Sequence, residues 1–284
     1  MKNKYFILNN GNKIPSLGLG TFKQSNLSKI ARESTKIGYE LFDTSPAYGT
    51  EKSLSKGLYK PFFFSNKQER RKYSITTKLF LSDCFNNKEY QGLKKSLKQL
   101  STEYIDTYLL HWAHPDVFIH NYKEMEKFYK DGLVKNIGVC NMEIHHLEKL
   151  LNECEIVPAI NQIEVTPILT QKPLLDFCKK HNILVMAYTP FGRMHEKIFS
   201  NSKLVSLSKK YNKKITQIIL SWNIQQGRSV IPKTSNIERL KENYNIFDFE
   251  LRKEDLDEID NLNENFRIRF HPDIYPIEWR KNNG

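Results

Sequence analysis

The feature of this sequence that most constrains its fold is the alternation of short apolar runs with amphipathic segments of helical period. Between two such runs, Leu93, Leu97 and Leu100 recur at spacings of three and four residues, which predicts one apolar face on a helix. Strands that alternate with helices build a parallel sheet, and strands that are apolar throughout are typical of a closed barrel. The predicted fold is therefore an α/β (β/α)8 barrel, or TIM barrel. Its eight predicted strands span residues 17–21, 40–43, 73–78, 105–111, 136–140, 159–164, 184–188 and 229–232.

The segment before the first strand and the lack of linkers complete the predicted architecture. The stretch "YFILNNGNKIP" predicts a β-hairpin with an Asn-Gly turn, which can cap the floor of the barrel. No Pro-, Gly- or Ser-rich linker interrupts the sequence, so we expect residues 1–284 to form a single domain. A doubly wound open sheet is the competing architecture. It usually carries G-x-G-x-x-G after its first strand, whereas Gly18 and Gly20 lack a third glycine.

Composition argues against several classes of protein. With 39% hydrophobic residues the chain can bury a large core, so wholesale disorder is not expected. No apolar run approaches the roughly 20 residues that span a bilayer. The apolar part of the N-terminus, residues 5–8, is too short for a signal-peptide core, so we expect a cytoplasmic protein without membrane contact. The four cysteines are widely spaced and include no C-x-x-C pair, which argues against disulfides and a zinc cluster.

The formal net charge of +12 invites comparison with nucleic-acid-binding proteins. The lysines, however, are spread along predicted helices such as "KKSLKQL" and "KKITQII" and are not gathered in one patch. We therefore expect no nucleic-acid partner and rank that function third. A basic surface can instead help to attract an anionic cofactor or substrate.

Several predicted strands end in polar residues that a barrel would gather on one face. In such barrels the catalytic groups come from the C-terminal ends of the strands. Taken singly, each residue has a structural explanation, since a tyrosine after a strand more often packs and a histidine in "LLHW" more often lies in the core. Taken together, they predict one polar site. Its members are Asp43, Tyr48, Lys78, His111, Asn141, Gln162, Tyr188, Lys233 and Thr234.

Seven motifs resemble the successive signatures of the aldo-keto reductases. They are "GYELFDTSPAYGTE", "ITTKL", "YLLHW", "NIGVCN", "NQIEVTP", "AYTPFG" and "IPKTSNIERLKEN", in the family's order. The resemblance covers nearly the whole chain, from about residue 17 to residue 243. It implies an NADPH-dependent oxidoreductase on a (β/α)8 barrel that reduces small aldehydes or ketones as a monomer. It also implies a catalytic set of Asp43, Tyr48, Lys78 and His111.

The chemistry of these four residues suits carbonyl reduction. A phenol has an ordinary pKa near 10. The ammonium of Lys78 should lower the pKa of Tyr48, and Asp43 should hold that lysine in an ion pair. Tyr48 would then protonate the carbonyl oxygen while hydride reaches the carbon, and His111 would orient the same oxygen. No metal is needed, and the spacing of His111 and His114 alone lacks further zinc ligands.

The resemblance also implies the cofactor contacts. Amides at Asn141 and Gln162 would hold the nicotinamide carboxamide, and Tyr188 would stack on its ring. Asn236 is a good N-cap, so "PKTSNIERLKEN" predicts a helix N-terminus with nearby cations, which the family uses for the adenosine 2′-phosphate. NADPH is therefore favoured over NADH. The full predicted cofactor set is Gly20, Thr21, Asp43, Asn141, Gln162, Tyr188, Thr189, Phe191, Lys233, Thr234, Ser235, Arg239, Glu242 and Asn243.

Three positions depart from the family pattern. The family commonly has serine where Cys140 stands, histidine where Thr166 stands and tryptophan where Phe22 stands. The catalytic positions are retained, so these departures bear more on substrate choice than on activity. The predicted substrate walls are Phe22, Trp112, His111 and the late segment, residues 266–276, "FRIRFHPDIYP". A non-catalytic cofactor-binding or regulatory subunit on the same barrel is the alternative, which the retained catalytic positions disfavour.

Overall fold

The computed structural model describes residues 4–59, 70–85 and 87–283, and over these residues it contains the predicted barrel. A two-stranded antiparallel hairpin comes first, and a sheet of eight parallel strands follows in sequence order. Each parallel strand overlaps its predicted range. The strands are β1 (Tyr5–Ile7), β2 (Lys13–Pro15), β3 (Gly18–Gly20), β4 (Leu41–Asp43), β5 (Ser74–Leu79), β6 (Thr107–Leu110), β7 (Ile137–Cys140), β8 (Ile160–Glu164), β9 (Leu184–Tyr188) and β10 (Ser229–Ile231).

The parallel sheet closes on itself where its first and last strands meet. Leu17 forms a parallel bridge to Val230. The backbone N–H of Val230 donates to Ser16 O at 2.8 Å, and that of Gly20 donates to Pro232 O at 3.0 Å. Closure removes the unpaired strand edges of an open sheet. It also brings the C-terminal ends of β3 to β10 together at one rim, as the (β/α)8 prediction requires.

Helices connect the strands and cover the outside of the barrel. The first helix, Leu27–Ile37, ends at Gly38, whose φ of 118° suits glycine and whose N–H bonds to Ser34 O and Thr35 O. Among the described residues, no helix combines the length and apolar character that crossing a membrane requires. The α-helices are α1 (Leu27–Ile37), α2 (Glu51–Leu58), α3 (Glu89–Gln99), α4 (Phe118–Lys130), α5 (Ile144–Glu153), α6 (Lys172–Lys180), α7 (Glu196–Phe199), α8 (Ser202–Tyr211), α9 (Ile215–Gln225), α10 (Ile237–Tyr244), α11 (Lys253–Asp260) and α12 (Tyr275–Asn283).

The hairpin of β1 and β2 caps the barrel floor, as predicted. Asn9 Nδ2 donates to Val157 O at 3.3 Å and to Pro158 O at 3.1 Å, just before β8 begins. Asn10 Nδ2 donates to Lys135 O at 3.2 Å, just before β7 begins. Both contacts lie at the N-terminal ends of strands. The hairpin therefore covers the N-terminal end of the barrel, which in such barrels contributes to stability. The rim at the C-terminal ends of the strands stays open.

The apolar core has two layers, one on each face of the barrel sheet. Inside the barrel, Leu41, Leu109, Ile160 and Met186 are buried together with Ile14 from the hairpin. A larger cluster fills the space between the strands and the surrounding helices. Each fully buried large apolar side chain contributes about 1.5–3 kcal/mol relative to exposure. The strands are thus fixed from both faces, and so are the polar residues at their C-terminal ends.

Candidate active site

A cavity of about 590 Å³ opens at the C-terminal ends of the barrel strands. Its volume lies within the range of about 300–1,000 Å³ that is common for small-molecule sites. Most of the predicted site residues lie on its walls. Those that line the cavity are Gly20, Phe22, Asp43, Tyr48, His111, Trp112, Asn141, Gln162, Tyr188, Thr189, Phe191 and Lys233.

Asp43 and Lys78 form a buried ion pair at the cavity wall. Lys78, whose side chain is 0% exposed, donates from Nζ to Asp43 Oδ1 at 2.7 Å and to Thr44 O at 2.8 Å. Burial acts most strongly and would lower the pKa of Lys78, but the carboxylate of Asp43, together with Tyr48 and Cys140, holds that pKa above its ordinary value. The ammonium therefore stays charged. Breaking such a pair by removing one partner costs about 3–5 kcal/mol.

Tyr48 stands beside this pair at the end of a short 3-10 helix, Pro46–Tyr48, which follows β4. Lys78 Nζ lies 4.9 Å from the centroid of the Tyr48 ring. Burial raises the pKa of Tyr48 to about 12, while the charge of Lys78 acts in the lowering direction. Lys78 thus acts as predicted, but the net shift of the pKa is opposite to the prediction because desolvation of the phenolate outweighs the ammonium.

His111 follows β6 directly and faces Tyr48, with the two ring centroids 6.0 Å apart. Its Nδ1 lies 3.4 Å from Ser45 Oγ. Burial, followed by the positive charges of Lys78 and Arg269, lowers the pKa of His111 well below its ordinary value. The imidazole is therefore neutral at physiological pH, with one ring nitrogen beside Ser45 and Nε2 left for another partner.

Two amides and a phenol form the neighbouring part of the cavity wall. Gln162 Nε2 donates to Asp43 Oδ1 at 2.7 Å, so this amide is joined to the buried ion pair. Tyr188 Oη donates to Asn141 Oδ1 at 2.6 Å. Cys140 Sγ lies 3.8 Å from Gln162 Oε1, which is a weak hydrogen bond where a serine would give a stronger one. The three residues predicted for the nicotinamide are therefore together.

The ends of β3 and β9 bring further predicted residues to the cavity. Gly20 lines it, and a Cβ at this position would lie 3.0 Å from Ile231 O. Thr21 is buried behind the wall, where its Oγ1 lies 3.0 Å from Thr50 Oγ1. Thr189, with a φ of 50°, and Phe191 line the cavity after β9. Of these four residues, Thr21 does not line the cavity, and its hydroxyl contacts Thr50.

A second group of predicted residues lies at the N-terminus of α10. Asn236 Oδ1 accepts from Arg239 N at 3.1 Å, so Asn236 caps the helix as predicted. Thr234 Oγ1 in turn accepts from Asn236 N at 3.1 Å. Ser235, Lys233 and Arg239 are exposed. Over the described ranges, no carboxylate pairs with Lys233 or Arg239. The helix N-terminus therefore presents two cations that have no acidic partner in the described part of the chain.

The remaining two residues of the predicted cofactor set lie further along α10. Glu242 forms an ion pair with Lys214, and its backbone carbonyl accepts from Gln217 Nε2 at 3.0 Å. Asn243 is buried. Neither residue is among those that line the cavity.

Several aromatic side chains form a further part of the cavity wall. The ring of Phe22 lies 5.0 Å from that of Tyr48, and the ring of Trp112 lies 4.4 Å from that of Tyr275 in the late segment. The predicted wall of Phe22, Trp112, His111 and the late segment is therefore present. Lys23, Phe80 and Arg193 also line the cavity and were not predicted from the sequence. Arg269, Phe270 and Tyr275 line it too, but the sequence predicted only the segment that contains them.

Glu164 anchors the late segment on the barrel. This fully buried residue is the last of β8, and its carboxylate accepts from Ile268 N at 3.0 Å and from Arg269 N at 2.9 Å. Burial raises the pKa of Glu164, and the two N–H groups act against that rise. Sequence reasoning missed this role, although an acid that ends a buried strand in "NQIEVTP" signals a need for partners.

Comparison with known proteins identifies the family. The chain matches the family model described as the aldo/keto reductase family over residues 11–264. The chain belongs to this family. It is 38% identical to the glyoxal reductase of Bacillus subtilis, with 94% of this chain and 95% of that protein covered. It is 37% identical to the methylglyoxal reductase DkgA of Escherichia coli O157:H7, with coverages of 94% and 96%.

Among solved structures, the chain is similar to an aldo-keto reductase of Bombyx mori in complex with NADP. The TM-score is 0.86 and the identity 30%, with 95% of this chain and 96% of that chain covered. The expected class, an NADPH-dependent oxidoreductase that reduces carbonyl groups, is thus confirmed at the level of the family. The roles of the individual residues stay predictions.

The chemistry of the cavity fits a nicotinamide dinucleotide phosphate. The amides of Asn141 and Gln162 and the ring of Tyr188 can hold a flat carboxamide-bearing ring. Lys233 and Arg239, which pair with no carboxylate of the described residues, can hold a phosphate at the capped N-terminus of α10. This aldo-keto reductase therefore has donors for both ends of the cofactor that its family implies.

One group of side chains in the described ranges could geometrically hold a metal ion, namely His145, His146 and Asp273. His146 Nδ1 accepts from the backbone N–H of Glu143 at 3.3 Å, so its Nε2 carries the ring proton. That nitrogen lies 3.4 Å from Asp273 Oδ1. A protonated Nε2 is no metal ligand, and burial lowers the pKa of His146 to about 4, so His146 and Asp273 form no charged pair at neutral pH. The His111 and His114 pair belongs to no such group.

Proposed function

We propose that this protein reduces small aldehydes with NADPH and that Tyr48 supplies the proton. The observation that carries the proposal is the buried Lys78–Asp43 ion pair, with Lys78 Nζ 4.9 Å from the ring of a cavity-lining tyrosine. A buried charged pair is expensive to keep and is weak evidence for stability alone. Next to a phenol in a cleft, it is typical of an acid–base site.

The four catalytic residues divide the work of moving one proton. With a pKa of about 12, Tyr48 is protonated at neutral pH and can donate to a carbonyl oxygen. As the phenolate forms, the ammonium of Lys78 stabilises its negative charge. Asp43 keeps that ammonium charged and in place through the 2.7 Å bond. Solvent then returns the proton to Tyr48 after the product leaves.

Neutral His111 positions the substrate. Its Nδ1 lies beside Ser45 Oγ, which leaves Nε2 to donate to the carbonyl oxygen. A neutral imidazole orients that oxygen without competing with Tyr48 as the acid. Preorganised donors at the oxygen that gains charge commonly contribute about 10²–10³ in rate.

When bound, NADPH supplies the hydride that adds to the carbonyl carbon, while the oxygen takes the proton of Tyr48, giving an alcohol and NADP⁺. Asn141, Gln162 and Tyr188 would hold the nicotinamide. Residues near β3 and β9 would hold the middle of the cofactor, and those near α10 would hold its adenosine end, with Lys233 and Arg239 at the 2′-phosphate. These further residues are Gly20, Thr21, Thr189, Phe191, Lys233, Thr234, Ser235, Arg239, Glu242 and Asn243.

Two observations favour small aldehydes as the substrate class, namely the named activities of similar proteins and the aromatic wall of the cavity. The glyoxal and methylglyoxal reductases are named for small dicarbonyl compounds, and they match nearly the whole chain. The wall of Phe22, Trp112 and Tyr275 gives a short substrate apolar contact near Tyr48. A non-catalytic regulatory subunit is the alternative, and the complete acid–base set disfavours it.

We further propose that residues 1–284 act as a single domain, as a cytoplasmic monomer without a nucleic-acid partner. All four cysteines are free thiols, which suits a reducing compartment. Light scattering tests the monomeric state, cell fractionation tests the cytoplasmic location, and salt-dependent titration with random duplex DNA tests the absence of a nucleic-acid partner.

A turnover screen tests the central proposal. Purified protein is mixed with NADPH and a panel containing glyoxal, methylglyoxal and simple aldehydes, and the loss of absorbance of NADPH is followed. We expect turnover of the small dicarbonyl compounds that persists after dialysis against a chelator. NADPH binding without turnover of any aldehyde would favour the regulatory alternative.

A further inference from the structure

The side chain of Arg269 reaches the aromatic wall of the cavity. Its Cζ lies 5.5 Å from the centroid of the Phe22 ring and 5.0 Å from that of the Phe270 ring. The Phe22 ring is in turn 5.0 Å from the ring of Tyr48. The guanidinium and the ring of the proposed proton donor therefore contact the same aromatic ring.

This guanidinium has no acidic partner in the part of the chain that the structure describes. Asp43, the carboxylate on the cavity wall, is already engaged by Lys78 and by Gln162 at 2.7 Å each. A half-buried guanidinium that faces a cavity without a free anion favours an anionic ligand there. The positive charge also acts on the reacting region, since Arg269 contributes to lowering the pKa of His111 after burial and Lys78.

A second cation stands beside the same ring. Lys23 Nζ lies 5.6 Å from the centroid of Phe22, and Lys23 also lines the cavity. The ring that occupies the family's usual tryptophan position is thus flanked by Lys23 and Arg269. A neutral aldehyde has no use for either charge.

The backbone of Arg269 is held in place before any ligand arrives. Its N–H donates to the buried carboxylate of Glu164 at 2.9 Å. The preceding Arg267 donates from Nη2 to Glu143 Oε1 at 2.9 Å and to Gln171 Oε1 at 3.1 Å. Because the backbone is already fixed, only the side chain of Arg269 has to be ordered when an anion binds, which lowers the cost of binding.

The contacts of Arg269 place it on the substrate wall. Phe22 and Phe270 border the proposed substrate, whereas the proposed phosphate contacts, Lys233 and Arg239, lie at the N-terminus of α10. A planar guanidinium binds a carboxylate through two parallel hydrogen bonds. Such a bond would fix the substrate's far end and so place its carbonyl at Tyr48.

Resting on the proposed function of this cavity, we propose that Arg269 forms a carboxylate subsite and that the preferred substrates are aldehydes carrying a carboxylate a few bonds from the carbonyl. Neutral aldehydes remain substrates of lower kcat/KM. The acid and its ester differ in this charge and little else, so they are the matched pair for testing the subsite.

The first test compares 4-oxobutanoate with its methyl ester. We expect wild-type kcat/KM to be about 10–100-fold higher for the acid, and Arg269→Gln to remove most of that preference while changing the ester by less than about threefold. Arg269→Lys should keep part of the preference. Lys281→Gln removes one exposed positive charge from α12 outside the cavity and should change neither substrate. Equal kcat/KM for acid and ester in the wild type would overturn the subsite.

A binding measurement separates this proposal from the proposed function. Unreactive butanoate and butanamide are titrated calorimetrically into the protein saturated with NADP⁺. We expect butanoate to bind about tenfold or more tightly than butanamide. This preference should disappear when Arg269 is replaced. Arg269-dependent binding of butanoate without any turnover would support the subsite and overturn the reductase. Loss of NADPH affinity in Arg269→Gln, with acid and ester falling alike, would assign Arg269 to the cofactor and overturn the subsite.

Discussion

The proposed catalytic set, Asp43, Tyr48, Lys78 and His111, and the late segment, residues 266–276, lie at the same cavity but are held in different ways. Lys78 is 0% exposed, and its 2.7 Å bond to Asp43 lies between neighbouring strands of the closed barrel. In the late segment, Phe270 and Ile274 are 49% and 52% exposed. Its position depends on a few tethers, chiefly the buried carboxylate of Glu164.

From this difference we expect chemistry and substrate choice to be separable in this protein. A change in the catalytic set alters a network that the barrel holds rigid, so its effect should fall on kcat. A change in the late segment alters a wall that is tied at few points, so its effect should fall on KM. Binding that is the same in ground and transition states changes KM and leaves kcat alone.

The largest expected effect is that of Tyr48→Phe, which removes one hydroxyl and keeps the ring. We expect kcat for methylglyoxal to fall about 10²–10⁴-fold or more, because the proton donor is lost. The thermal midpoint and the Kd for NADPH, measured by fluorescence, should stay near those of the wild type. Parental turnover in this variant would make Tyr48 a packing residue and the catalytic assignment wrong.

Lys78→Met should give a comparable loss of kcat, because the ammonium no longer stabilises the phenolate. The change also leaves Asp43 without its counter-ion, which costs about 3–5 kcal/mol of stability. Asp43→Asn combined with Lys78→Met should recover much of that stability but no activity. Tyr48→Phe combined with Lys78→Met should cost far less than the product of the single losses, since the two residues act as one unit. Multiplying losses would mean that they act independently.

The sequence predicted that the four proposed catalytic residues lie together because the strand order gathers the C-terminal ends of the strands, whereas their roles came from the resemblance to the family. Asp43 and Lys78 lie on β4 and β5, which pair in parallel, so their adjacency follows from the order of the strands. The pKa of Tyr48 could not be predicted in the same way. Its direction depends on the balance between burial and the charge of Lys78, which only the packed structure fixes.

The late segment was predictable as a wall but not in detail. Its residues follow no strand or helix period, so the sequence does not indicate which side chain faces the cavity. The position of Arg269 depends on Glu164, a contact between residues 105 positions apart in the chain. The sequence does not indicate which backbone N–H groups bind an acid, since every residue except proline has such a group.

The next effect concerns the cations at α10. Replacing Lys233 or Arg239 with alanine should weaken NADPH binding by about 1–3 kcal/mol, the contribution of a charged hydrogen bond to the 2′-phosphate. Binding of NADH, which lacks this phosphate, should change little. Titrations of both cofactors, with Lys281→Ala as a surface control, distinguish a phosphate contact from a general effect of charge. Equal losses for NADPH and NADH would contradict the assignment.

A smaller effect is expected for Glu164→Gln, which keeps the shape of the tether and removes its charge. The new amide can accept from one of Ile268 N and Arg269 N but places an N–H against the other, so the late segment should loosen. We expect KM for methylglyoxal to rise about 3–10-fold with kcat changed less than about threefold. Steady-state kinetics measure both. A fall in kcat with an unchanged KM would show that the late segment and the proposed catalytic set do not act separately.

The smallest expected effect is that of pH on the reduction of a neutral aldehyde. The pKa of Tyr48, raised to about 12, keeps the acid protonated throughout the neutral range. The pKa of His111 is lowered and that of Lys78 is raised, so neither group changes its charge there. We therefore expect kcat for reduction to vary less than about twofold between about pH 6 and about pH 9. Oxidation of the product alcohol needs the phenolate, so its rate should rise about tenfold per pH unit over the same range. A bell-shaped reduction profile centred near neutrality would mean that an exposed group, as in the late segment, carries the proton in place of Tyr48.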